Sequence, residues 1–217
     1  MAESALLRIT EIFTSLQGEA ATAGYPTTFI RLTGCPLRCV YCDSAYAFNG
    51  GEQVAIEALV ADAVSRRATR VCVTGGEPLA QPNCLLLLSA LCDAGLSVSL
   101  ETSGAMDVTE VDPRVSIVLD IKTPGSGESH RNRLENLPLL KSTDQVKVVV
   151  TSAADFRWFE ALCDQHPEIF QAGVVWISPV YEGIDLQAMA SWIIESVHPF
   201  RMQLQLHKLI WGEESGR

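Results

Sequence analysis

Between residues 28 and 206 the chain alternates short apolar segments of strand length with longer segments whose apolar positions recur at helical spacing, and this alternation restricts the fold more than any other feature. Residues 28–32 read as a strand, and residues 54–67 as a helix with Ile56, Leu59, Val60, Ala63 and Val64 on one face. Residues 70–74 return to strand and 82–94 to a deeply packed helix carrying the leucine run from Leu85 to Leu88. Further strands are expected at 96–101, 115–120, 145–150, 173–178 and 201–206, and helices at 153–165 and 186–197. Strand and helix in turn mean a parallel sheet with helices packed outside it, an α/β fold. The count falls short of eight full units, so an incomplete, open β/α barrel is expected rather than a closed one. Chemistry in such folds gathers at the carboxyl ends of the strands. Several strands here run out into polar or glycine residues: Thr74-Gly75-Gly76-Glu77, Glu101-Thr102-Ser103-Gly104, Asp120-Ile121-Lys122 and Ser178-Pro179. Residues 123–142, with Pro124, Gly125 and Gly127, read as a loop or lid.

A length of 217 residues suits one well-buried core, so residues 1–217 are expected to form a single domain. No apolar run approaches the roughly 20 residues that cross a bilayer, so no membrane partner is expected. Met1-Ala2-Glu3-Ser4 has neither the basic flank nor the apolar stretch of a secretory signal, which predicts a cytoplasmic protein with reduced cysteines. The net charge of −10 argues against nucleic acid, because phosphate binding draws its affinity from clustered Lys and Arg.

The seven cysteines fit a closed disulfide framework poorly, being odd in number. Cys72, Cys84, Cys92 and Cys163 stand in apolar patterns and read as core residues. Cys35, Cys39 and Cys42 instead crowd into Gly34-Cys35-Pro36-Leu37-Arg38-Cys39-Val40-Tyr41-Cys42-Asp43, a CxxxCxxC array. Three thiolates anchor three corners of a four-iron cluster and leave the fourth iron open to an exogenous ligand, an arrangement for catalysis. A structural zinc site is the alternative; it normally needs four protein ligands, and His130, His166, His198 and His207 are all remote in sequence.

The array, with aromatic Tyr41 before its last cysteine, resembles that of the radical S-adenosylmethionine superfamily. Thr74-Gly75-Gly76-Glu77-Pro78 resembles the superfamily's second motif, which contacts the amino group of the methionyl moiety. A glycine backbone permits that approach and a carboxylate can complement the cation, although an ordinary β-to-α turn uses the same residues. The resemblance implies a 4Fe-4S cluster on Cys35, Cys39 and Cys42, with S-adenosylmethionine against Tyr41, Cys42, Asp43, Gly76, Glu77, Thr102, Ser103 and Lys122.

A narrower resemblance begins at Leu16-Gln17-Gly18-Glu19, continues through residues 29–35 and Cys42-Asp43-Ser44, and ends at Gln205-Leu206-His207-Lys208. These segments are similar to those of the 7-carboxy-7-deazaguanine synthase family of queuosine and deazapurine biosynthesis. The family implies an incomplete β/α barrel, usually a homodimer. It converts 6-carboxy-5,6,7,8-tetrahydropterin to 7-carboxy-7-deazaguanine with loss of ammonia. Its cofactors are the cluster, S-adenosylmethionine and Mg2+, with electrons from an external donor such as flavodoxin. Carried onto this chain, the resemblance places Leu16, Gln17, Gly18, Glu19, Arg31, Thr74, Gln205 and His207 around the pterin, with Arg31 on its carboxylate. A guanidinium fork suits that task, since it can meet a carboxylate in two hydrogen bonds. Period two puts Gln205 and His207 on one face of the last expected strand. Ser44 aligns with the family's magnesium-binding hydroxyl, though a turn-forming serine after Asp43 would look the same. No side chain is singled out as a catalytic acid or base, because the radical chemistry belongs to the cofactor. Two rivals share the cysteine array: a glycyl-radical activase acting on a partner protein, and a non-enzymatic electron-transfer protein.

Overall fold

The computed structural model describes residues 5–212, 214 and 216. Nine strands form one sheet: β1 (Leu6–Leu16), β2 (Pro26–Leu32), β3 (Glu52–Ala55), β4 (Arg70–Gly75), β5 (Ser97–Thr102), β6 (Ser116–Ile121), β7 (Gln145–Val150), β8 (Val174–Pro179) and β9 (Phe200–Met202). Their spatial order is β3-β1-β2-β4-β5-β6-β7-β8-β9, with β3 and β9 as two separate edges, so the barrel is open as expected. From β2 through β9 every pairing is parallel, and β1 joins antiparallel to both β2 and β3.

Alternation along the parallel strands separates two faces. Ile30 and Leu32, Val71 and Val73, Val98 and Leu100, Ile117 and Leu119, Val146 and Val148, and Val175 and Ile177 belong to one apolar cluster. Helices α1 (Ile56–Ser65), α2 (Cys84–Asp93), α3 (Ala153–Gln165) and α4 (Leu186–Glu195) cover it with Leu59, Leu88, Phe159 and Met189 among others. Ser152 and Asp185 cap α3 and α4 by accepting from the backbone N–H of Asp155 and Gln187, so each helix starts where a side-chain oxygen is available. Cys84 and Cys163 pack in this core and Cys72 is buried, as their apolar contexts predict, while Cys92 is half-buried at its margin. The intervening strand residues, Arg31, Thr74, Glu101, Asp120 and Lys147, point to the opposite, inner face, where they line a common cavity.

β1 changes phase midway. Leu7 and Ile9 face the core, a bulge falls between Ile9 and Glu11, and Ile12 then takes the core side. The extra residue turns Glu11 and Phe13 inward, opposite Arg31 and Phe29 of β2. Phe13 and Phe29 stack there with centroids 4.9 Å apart.

Two expectations need correction. The strand expected at 201–206 is only Phe200–Met202; Gln205 precedes, and His207 lies within, a short helix, α5 (Leu206–Trp211). Gln203 gives the last ladder bond of the strand, from its backbone N–H to the Ile177 carbonyl, while its side-chain amide clamps Ala20, accepting from that residue's N–H and donating to its C=O. Residues 123–142, expected as a loop or lid, are instead anchored as three 3-10 turns, with Thr123, Ser126, Asn136 and Leu137 buried. Among the described residues no helix is long and apolar enough to cross a membrane.

Candidate functional site

A cavity of about 510 Å³ opens at the carboxyl ends of the parallel strands. That volume falls in the roughly 300–1,000 Å³ range of small-molecule sites. The cysteine loop leaves β2 and is fastened at three points. Gly34 donates to the Ala47 carbonyl (2.8 Å), Glu77 donates its backbone N–H to the Gly34 carbonyl (2.8 Å), and Val40 donates to the Ser126 carbonyl (3.0 Å). A Cβ on Gly76 would stand 2.2 Å from the Gly34 oxygen and 2.8 Å from the Cys35 Cβ, so the Gly75-Gly76 turn abuts the loop through missing side chains.

Cys35, Cys39 and Cys42 are free, half-buried and all on the cavity wall. Burial first, then neighbouring acids and thiols, pushes all three thiols above the ordinary range, and Lys122 opposes that rise at each. A metal that needs thiolates would therefore release protons on binding. Among the described residues no three His, Cys, Asp or Glu side chains converge as a single-ion site demands. Three thiols spread round one loop suit the corners of a cluster better than one tetrahedral ion.

Residues from both ends of the chain meet in this cavity. Leu16, Gln17, Gly18, Glu19, Arg31, Thr74, Gln205 and His207 all line it, as do Tyr41, Cys42, Asp43, Ser44, Gly76, Thr102, Ser103 and Lys122. The segment after β1 is drawn over the sheet by Gln145, which accepts from Ala21 N–H (2.7 Å), and by the Gln203 clamp on Ala20, whose φ of 62° is unusual for a residue other than glycine. Gln205 donates to Glu19 at 2.7 Å and Leu206 N–H donates to the Gly18 carbonyl at 2.9 Å, so α5 docks on the Gln17-Gly18-Glu19 segment despite the lost strand.

Arg31 pairs through Nε with its cross-strand neighbour Glu11 at 2.7 Å, and Tyr46 donates to the same carboxylate oxygen. Its Nη1 makes a long 3.5 Å contact with Ser44 Oγ. The Ser44 hydroxyl donates to Asp43 at 2.9 Å and makes no cap bond to the following turn. Burial alone would raise the Asp43 pKa, but Lys208, with Nζ 3.5 Å away, and Lys147 outweigh it and hold the carboxyl below its ordinary value.

Glu77 sits behind the cavity wall. It is fully buried and does not line the cavity. Its carboxylate accepts from Leu79 N–H, Thr102 Oγ1, Ser103 N–H and Ser103 Oγ, so it braces the end of β5 from beneath. Thr102 and Ser103 accordingly face the cavity with their hydroxyls engaged from behind.

Three inner-face charges were not among the expected site residues: Glu101, Asp120 and Lys147. Glu101 accepts from Thr74 Oγ1 (2.8 Å) and Gln17 Nε2 (3.2 Å). Asp120 pairs with Lys122 at 3.1 Å and lies 3.8 Å from Lys147, its register partner on β7, while Lys147 also pairs with Glu19. The signal was a lysine inside the apolar run Gln145-Val146-Lys147-Val148-Val149-Val150, where a charge is tolerated only if the inner face is polar.

A cysteine loop at the mouth of an open parallel sheet, beside a Gly-Gly turn, defines the radical S-adenosylmethionine class, and residues 29–118 match the sequence profile of the radical SAM superfamily. The 7-carboxy-7-deazaguanine synthase of Methanospirillum hungatei is 45% identical over 211 residues, covering 96% of this chain and 87% of that protein. Its counterpart in Chlorobaculum tepidum is 40% identical over 218 residues and 99% of each chain. The fold also matches the crystal structure of QueE from Escherichia coli with a TM-score of 0.73 at 23% identity, covering 93% of this chain and 95% of that one. The chain belongs to the 7-carboxy-7-deazaguanine synthase family of radical S-adenosylmethionine enzymes. Membership implies a four-iron cluster and S-adenosylmethionine as cofactors, and it favours this reading over a glycyl-radical activase or an electron carrier.

Proposed function

We propose that this protein converts 6-carboxy-5,6,7,8-tetrahydropterin to 7-carboxy-7-deazaguanine with loss of ammonia, as a step in queuosine or deazapurine biosynthesis. The observation that carries the reading is the convergence of Leu16 to Glu19, Arg31, Gln205 and His207, distant in sequence, on one cavity wall facing the cysteine loop. When bound, the cluster and S-adenosylmethionine would supply one-electron, hydrogen-abstracting chemistry.

The chain's own share is binding, orientation and exclusion of water. Cys35, Cys39 and Cys42 would hold the cluster. Gly76, Thr102, Ser103, Lys122 and the Tyr41 to Asp43 segment would line S-adenosylmethionine, with Glu77 steadying Thr102 and Ser103 from below. Arg31, its Nε fixed by Glu11, would direct its outer nitrogens at the substrate carboxylate. Glu19 and Gln205 would take the aminopyrimidinone edge, a carboxylate oxygen suiting its N–H donors. Thr74 and Gln17, both bonded to Glu101, would flank the ring. Ser44, beside Asp43, would supply an oxygen to Mg2+ together with substrate and water, as that ion commonly accepts few protein ligands. The same reading includes an external one-electron donor such as flavodoxin, a homodimer and a cytoplasmic location.

Anaerobic incubation with a reductant, S-adenosylmethionine and 6-carboxytetrahydropterin tests the proposal by product analysis. Formation of 7-carboxy-7-deazaguanine that disappears when Cys35, Cys39 and Cys42 are replaced by alanine is the expected result. Turnover that survives the triple replacement, or cofactor cleavage without pterin conversion, overturns it.

A further inference from the structure

Lys147 leaves the middle of β7 between two core valines and reaches into the cavity, where it pairs with the buried carboxylate of Glu19. Glu19 Oε2 receives the ammonium, and Oε1 receives Gln205 Nε2. A carboxylate offers about four acceptor positions, so each oxygen keeps capacity for a further donor. Resting on the proposed function, we propose that Lys147 is a positioning residue. Through its ion pair it holds Glu19 charged and aimed at the cavity, and so sets the affinity for a substrate that presents adjacent N–H donors.

The surrounding charges explain why one lysine matters. Glu101 of β5, Asp120 of β6 and Asp43 of the cysteine loop also face this region, against Lys122 after β6 and Lys208 and His207 of α5. Asp120 is shared between Lys122 and Lys147. Burial pushes the Glu19 carboxyl upward, and Lys147, then Gln205 and His207, more than reverse that, so the group sits below its ordinary value. Remove Lys147 and the Glu19 carboxyl keeps its burial while losing the charge that most strongly opposes it, which favours its protonated form. A protonated carboxyl presents a donor where the substrate also presents donors. The residue type fits as well: a lysine meets one oxygen as a point charge, whereas an arginine fork would cover both and compete with the ligand.

The test is the pH dependence of pterin affinity in Lys147→Met, Lys147→Arg, Glu19→Gln and the Glu19→Gln/Lys147→Met double variant, measured on cluster-loaded protein by equilibrium binding alongside KM. Wild type, with Glu19 ionised throughout, should contribute no Glu19-linked change between about pH 6 and 9. In Lys147→Met the raised pKa should weaken binding by about tenfold or more at the acid end, the worth of a charge-assisted hydrogen bond, with recovery as pH rises. Lys147→Arg should bind more weakly at every pH without acquiring that slope. In the Glu19→Gln background Lys147→Met should add no slope. Iron content and S-adenosylmethionine binding should stay at wild-type levels throughout, and Lys147→Gln replaces Lys147→Met if the latter does not fold. A Lys147→Met profile parallel to wild type, or the same added slope without Glu19, overturns the inference. Failure of wild type to bind the pterin at all would instead sink the proposed function, so the two outcomes are separable.

Discussion

His207 packs directly against Gly18: a Cβ on that glycine would stand 2.0 Å from the imidazole Nδ1 and 2.7 Å from Cγ. Contact between α5 and the segment after β1 therefore depends on the absence of a single methyl group. Gly18→Ala must displace the ring and with it the bond from Leu206 N–H to the Gly18 carbonyl. An overpacking cost of about 1–3 kcal/mol is expected, expressed as a raised KM for the pterin with unchanged iron content. Kinetics and iron analysis on one preparation check it; an unaltered KM would mean that α5 yields freely.

Glu77→Gln tests the brace beneath β5. Four donor groups, from Leu79, Thr102 and Ser103, point at this one carboxylate. A glutamine keeps one oxygen and turns an NH2 toward donors, so some of those groups lose their acceptor inside the protein. The expected loss is about 1–3 kcal/mol of stability, read as a lower Tm, together with weaker S-adenosylmethionine binding as Thr102 and Ser103 shift. Weaker cofactor binding with an unchanged Tm would point instead to direct contact between Glu77 and the cofactor.

How much of this was legible in the sequence follows from which forces are local. The parallel strands and α1 to α4 announce themselves because one face of each is a run of apolar residues at fixed spacing. β1 does not, because the bulge between Ile9 and Glu11 moves the core side from Leu7 and Ile9 to Ile12 and breaks the alternation. The end of β9 was equally hidden, since Gln203 just beyond it bonds to Ala20, 183 positions away in sequence. Cysteine spacing and the Leu16-Gln17-Gly18-Glu19 segment located most of the cavity wall. The bonds of Glu77 to Thr102 and Ser103 were not legible, because a motif identifies a turn without saying to which side its carboxylate points. Lys147 and Asp120 were passed over because their importance lies in register pairing across neighbouring strands.

Arg31→Lys keeps a positive charge but loses the planar fork. In the wild type, Nε is held by Glu11 at 2.7 Å, which fixes the orientation of the guanidinium. A lysine can satisfy Glu11 or the substrate carboxylate, and its point charge meets neither in two parallel bonds. Substrate affinity should fall by about tenfold or more, on the scale of roughly 1.5–3 kcal/mol for a charged hydrogen bond. S-adenosylmethionine affinity should change much less. Equal losses for both ligands would remove Arg31 from the pterin side of the cavity.

Ser44→Ala addresses the magnesium assignment. The hydroxyl donates to Asp43 and makes no cap bond to the turn Ala45–Phe48, so its removal should leave that turn and the cysteine loop in place. Iron content and S-adenosylmethionine binding should then match the wild type. If Ser44 and the substrate jointly hold Mg2+, omitting the ion should depress wild-type turnover, and the variant should need a higher concentration to reach its own plateau, because few protein oxygens remain to bind it. The Asp43 carboxylate, held below its ordinary pKa chiefly by Lys208, stays ionised in the variant and cannot account for such a shift through its own protonation. A magnesium titration and an iron assay on the same sample separate the possibilities. An intact cluster with an unmoved titration curve would leave Ser44 as the partner of Asp43 and nothing more.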